Sequence, residues 1–159
     1  DLGLSFADRE LADLANAHGD AAAAIRLAAS GSGAMFSGMP PDSPKVLAEG
    51  VYGDAAARAR AVVLIDAYLA KPHEHIPGRL PVDMTKLGEL ARALAVEHSQ
   101  LTGDNSDFLA LLWSPQGRAM RALPEFPAFL RDFGFVALWD EYGPPDDCKK
   151  NAAGDYVCE

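Results

Sequence analysis

"HGDAAAAIRLA" at residues 18–28 and "YGDAAARARAV" at residues 52–62 are two versions of one local pattern. In each, a glycine able to end a helix precedes an aspartate able to cap the next one. Alanine-rich sequence with the highest helix propensity then follows. Gly19 and Gly53 stand 34 positions apart, and Asp8 and Asp42, each close before an expected helix, keep the same offset.

Outward from these junctions the chain reads as helix almost throughout. Before the first, Ser5 is a candidate N-cap with Asp8 three residues on, and Leu11, Leu14 and Ala15 recur at helical spacing. After it, helix is expected as far as Gly31. Ser43 is read as N-cap and Pro44 as the first helical residue of a short helix ending at Gly50. Asp54 opens a long helix to about Lys71, with Val62, Val63, Ile65, Tyr68 and Leu69 as a broad apolar face. Beyond the proline-rich stretch "KPHEHIPGRLP", residues 71–81, the spacing of Leu87, Leu90, Ala91 and Leu94 predicts one helix over 84–98. Short helices are expected in 103–113, 114–123, 124–134 and 135–143, and no alternating pattern marks a strand.

A period of 34 with a helix-turn-helix in each unit is the spacing of tetratricopeptide repeats. A single helical hairpin cannot bury its apolar face alone, so such hairpins stack. The expected architecture is therefore all-α: a tetratricopeptide-like helical repeat over 1–143, with units at about 8–31 and 42–71 and helices over 84–143, then a cysteine-bearing tail over 144–159. The aromatics cluster late, at Phe108, Trp113, Phe126, Phe129, Phe133, Phe135, Trp139 and Tyr142. They suit a C-terminal cap with its own core or, as the other reading, a groove for an apolar ligand.

Bulk properties narrow the function. A net charge of −9 is adverse to phosphate contacts and to anionic membrane surfaces, so neither nucleic-acid contact nor membrane docking is expected. No apolar run approaches the ~20 residues of a bilayer span. The chain begins at Asp1 with no visible leader, which reads as a processed protein or a piece of a longer one.

Cys148 and Cys158 are the two cysteines. No CxxC accompanies them and no histidine follows His98, so a zinc site lacks ligands. Asp146 and Asp147 offset Lys149 and Lys150, leaving little field to activate a thiol. A disulfide is favoured over two free thiols; it implies a periplasmic or other extracytoplasmic compartment, whereas free thiols imply the cytoplasm. His73 and His75 flank Glu74 in the proline-rich loop and are the weak metal candidates, with a solvated loop as the preferred reading. The acidic residues are spread along helix faces and caps; Asp8, Asp20, Asp54 and Asp107 are read at helix starts, where a carboxylate is favourable on structural grounds. No nucleophile elbow, phosphate loop or HExxH is present, and neither catalysis nor a cofactor is expected.

The late segment resembles a known arrangement. Leu112-Trp113, Pro124, Phe126, Phe129-Leu130, Gly134, Leu138-Trp139, Tyr142-Gly143 and Pro145-Asp146 before Cys148 are similar to the end of helical-repeat sensor regions in bacterial one-component regulators. Those regions follow a winged helix and often a membrane span, and related repeats follow some nucleotide cyclases. The resemblance implies a repeat domain for protein contact or signal sensing, with a protein or peptide partner. It places Arg9, Asp13 and Asn16 of the first unit, and Leu47 and Val51 of the second, on the partner-binding face. Self-association through the N-terminal helix at 6–18, or binding of an upstream region of a longer parent by the same helix, is the further expectation, with Leu4, Phe6 and Leu11 exposed there. The alternative is a small helical metal-binding protein or enzyme built on the His73/His75 loop.

Overall fold

The computed structural model describes residues 2–30, 36, 38–100 and 106–158, with the side chains of these except 2–6, 106, 107 and 116. The fold is mostly helical, as expected, and the chain divides into two compact units, Asp1–Pro77 and Gly78–Glu159. The expected stop at Gly31, the cap Asp107 and the side chains of Leu4 and Phe6 lie outside what is described.

The first unit contains α1 (Leu2–Ala17), α2 (Ala21–Ser30), α3 (Ser43–Tyr52) and α4 (Ala55–Leu69). Packing is serial: α1 lies on α2, α2 on α3, and α3 on α4. At the first junction, the Gly19 N–H donates to the Asn16 carbonyl and the Asp20 N–H to the Ala15 carbonyl, both at 2.9 Å. This pair of bonds is a Schellman close, and it puts Gly19 at φ +82°, where a side chain would be strained. Asp20 then caps α2, accepting from the Ala23 N–H at 2.9 Å, and Asp54 caps α4, accepting from the Ala57 N–H at 2.8 Å. The two junctions share the cap but not the turn. Gly53 has φ −98°, and glycine is required there because a Cβ would run into the Glu49 carbonyl.

Small residues make the core of this unit. Ala12, Ala24, Ala28, Ala48 and Tyr52 are buried together, with Ala15, Ile25, Leu27, Ala29 and Val51 packed around them. On α4, Ala57, Ala61, Ile65 and Tyr68 form the buried face, while Val63, expected on it, points to solvent.

Three helix boundaries depart from expectation. Ser5 lies inside α1 rather than at its start. Ser43 is the first residue of α3, fully buried; its hydroxyl has no partner among the described residues, and Asp42 holds the cap position. Gly50 lies within α3, which continues to Tyr52 because the helix is packed on both sides there. Burial of its neighbours outweighs the roughly 1 kcal/mol that glycine costs inside a helix.

In the second unit, helix begins earlier than predicted, and the expected helix over 84–98 is two. Helix α5 (Arg79–Lys86) ends in a turn at Gly88, where the Gly88 N–H reaches the Thr85 carbonyl and the Glu89 N–H the Met84 carbonyl. Helix α6 (Leu90–Ser99) then follows. Apolar spacing runs across the break, so periodicity alone hides it. Helices α7 (Ser106–Leu112), α8 (Arg118–Arg121), α9 (Phe126–Asp132) and α10 (Phe135–Tyr142) follow, with a 3-10 turn at Pro115–Gly117 capped by Ser114.

This core is aromatic. Phe108, Phe126 and Phe129 are fully buried, and ring contacts run from Phe129 through Phe133 and Phe135 to Trp139, with Trp113 edge-on to Phe135 and Trp139. The tail, expected without strands, is an antiparallel hairpin of β1 (Cys148–Lys150) and β2 (Tyr156–Cys158). Cys148 and Cys158 face each other in register and are joined by the expected disulfide. Asn151 accepts from the N–H groups of Ala153 and Asp155 and shapes the turn.

Candidate functional site

Helix α1 presents two contrasting faces. Arg9 and Ala12 are buried and Ala15 packs against the alanine core, so this side faces α2 and α3. One residue per turn on the other side, Ala7, Leu11, Leu14 and His18 are exposed. Leu11 and Leu14 keep 48% and 54% of their surface in solvent. Leucines of neighbouring turns on one face form a contiguous apolar strip rather than scattered exposure. Leu11, expected on a self-association face, is exposed, and Leu14 lies beside it; in a bundle packed on alanine the leucines fall outside.

The residues expected to bind a partner divide accordingly. Asn16 is exposed. Asp13 is half-buried and accepts a hydrogen bond from the Tyr52 hydroxyl at 2.6 Å, tying α1 to α3. Arg9 is buried. Leu47 is 1% exposed and belongs to the core, and Val51 packs on the alanine cluster, so these two support the surface rather than form it.

The loop after α4 is more ordered than a solvated stretch. The ring of His73 stacks on Tyr68 with centroids 3.8 Å apart, and its Nε2 lies 2.7 Å from the Tyr68 carbonyl. A carbonyl only accepts, so that nitrogen carries the proton and donates. His75 is exposed.

Carboxylates across the chain have structural partners. Asp83 pairs with Arg79 inside α5, Glu49 with Lys45 and Arg60, Glu89 with Arg92, and Asp132 with His98. The hairpin is fastened by Arg131 to Asp155 and by Asp140, which accepts from Lys150 at 2.6 Å and from the Tyr156 hydroxyl at 2.8 Å. Lys150 and Tyr156 hold the Asp140 carboxyl below the ordinary range. Glu97 is the contrast: it is 3% exposed, its Oε1 has no hydrogen-bond partner among the described residues, and burial pushes its carboxyl up to about 7.

Nothing in the sequence points to the burial of Glu97, because a glutamate on a helix is ordinarily exposed. Among the described residues, no helix is long and apolar enough to cross a membrane. No family model, no curated protein and no solved structure matches the chain.

Proposed function

We propose that this chain is a non-catalytic helical-array domain that works by protein contact or signal sensing, part of a larger bacterial regulator in an extracytoplasmic compartment. The observation that carries the reading is the exposed Leu11–Leu14 strip on the first helix of a serially packed array. A stacked array buries its apolar faces between neighbours and leaves one uncovered at an end. A strip with one apolar residue per turn fits the groove of another helix. Asp13 and Tyr52 hold α1 against α3, which keeps that strip rigid before contact. The commitment of so many carboxylates to caps and ion pairs is in keeping with a non-catalytic role. The disulfide favours an oxidising compartment.

The occupant proposed for the strip is the same strip of a second copy, a self-complementary contact. Sedimentation velocity over a concentration series tests it. The native chain is expected to show rising average mass, and Leu11→Asp with Leu14→Asp is expected to remain a monomer with unchanged helix content. A native chain that stays monomeric at every concentration, indistinguishable from the variant, refutes the proposed contact.

A further inference from the structure

Helix α6 buries Ala93, Leu94 and Glu97 on one face. Glu97 follows Ala93 by four residues, so a carboxyl stands where the pattern calls for an apolar side chain. The helix packs against α5, α8 and α9. The charged groups on those elements are engaged elsewhere or lie outside. Arg79 and Asp83 bind each other, Arg121 donates to the carbonyls of Leu112 and Ser114, and Arg131 pairs with Asp155. Asp132 takes His98, Arg118 is exposed, and Lys86 makes no bond to Glu97. On α6 itself, Arg92 pairs with Glu89. None of them forms a hydrogen bond or ion pair with the Glu97 carboxyl, whose burial therefore penalises the charged form without compensation.

We propose that Glu97 makes the α6 seam of the second unit a proton-responsive element, closed against α8 and α9 while the carboxyl is neutral and loosened when it ionises. The anchor beside it is the bond from His98 to Asp132 of α9 at 2.8 Å, with the His98 ring edge-on to Phe129. Loosening α6 strains that anchor and brings water toward Leu94 and Phe129. The element lies wholly in the second unit and is independent of the α1 strip. Its working range follows from the carboxyl, which sits at about 7 in the fold against an ordinary 4.5. Because the folded value is the higher, the stabilising contribution is full below about pH 4.5 and is lost as pH rises through about 7.

Two measurements test it. In the native chain, the side-chain carboxyl carbon of Glu97, followed by NMR, should titrate near pH 7; a midpoint in the ordinary glutamate range overturns the proposal. Amide exchange, corrected for its intrinsic pH dependence, should show protection in α6, α8 and α9 falling by about a hundredfold between acid and mildly basic pH, as a shift of about two units or more requires. Glu97→Gln should abolish that fall. Asp132→Asn, which removes the charge paired with His98 but keeps Glu97, should retain it. The reverse pattern, with the fall kept in Glu97→Gln and lost in Asp132→Asn, would assign the response to His98 and overturn the proposal.

Discussion

Replacing Asp83 with alanine should destabilise the second unit by about 3–5 kcal/mol, far more than an exposed ion pair would. Arg79 and Asp83 sit one turn apart on α5, with Nε at 3.2 Å from both carboxylate oxygens. Their side chains are 6% and 4% exposed, and α5 is buried continuously from Arg79 to Thr85. Arg79 cannot shed its proton. Without Asp83 the guanidinium stays charged and buried without the carboxylate that balances it, or α5 must move to let it out. The loss therefore measures removal of one partner from a buried pair and not the net worth of the pair. Arg79→Met with Asp83→Leu removes both charges, and should recover most of what Asp83→Ala loses, since well-packed apolar replacements of a buried pair are often neutral or better. Urea denaturation followed by tryptophan fluorescence is the assay. Both tryptophans, Trp113 and Trp139, lie in the second unit, so the signal reports that unit alone. The loss should change little with added salt, because a buried pair is weakly screened. A loss under about 1 kcal/mol, or one that shrinks in salt, would show the pair behaving as a surface contact and refute the reasoning.

Three further outcomes are expected. Asp54→Ala removes the acceptor of the Ala57 N–H and should lower first-unit stability by about 1 kcal/mol, read from far-ultraviolet circular dichroism on melting. Cys148→Ser with Cys158→Ser should lower second-unit stability by roughly 2–3 kcal/mol, and thiol labelling of the denatured, unreduced native chain should find no free cysteine. His73→Ala should cost about 1 kcal/mol through loss of the bond to the Tyr68 carbonyl, whereas His75→Ala, at an exposed position, should leave the melting temperature unchanged.

The Gly-Asp junctions were legible because a cap is a local device: Asp20 and Asp54 need only the next three residues to work. Gly50 shows where local chemistry loses. It carries a helix-end signal, yet packing of α3 against α2 and α4 carries the helix through it to Tyr52. On α1, hydrophobic spacing alone does not say which residues are inside: helices in close approach exclude large side chains, and Ala12 is buried where Leu11 and Leu14 are not. In the second unit Phe108, Phe126, Phe129 and Trp139 are core, the first of the two readings, since a ring such as Phe129 has no comparably favourable place in water, whereas Tyr142 is exposed. The burial of Glu97 was invisible because it comes entirely from what surrounds the helix.

The hairpin shows why the tail cannot be reckoned separately from the helices before it. Tyr156 is buried, edge-on to Trp139 at 5.1 Å, and so closes the outer end of the ring contacts that begin at Phe129. Its partner in the ladder, Lys150, lies over the same ring and reaches Asp140 of α10. A free tail would have to fix its backbone angles chiefly for the docking of Tyr156 and the ion pairs of Asp155 and Lys150, and at about 1–2 kcal/mol per ordered residue that is unfavourable. Joining Cys148 to Cys158 restricts the unfolded tail before Tyr156 docks, so the same contacts suffice. The bond that carries the argument for an oxidising compartment is thus also what lets the last residues complete the aromatic core.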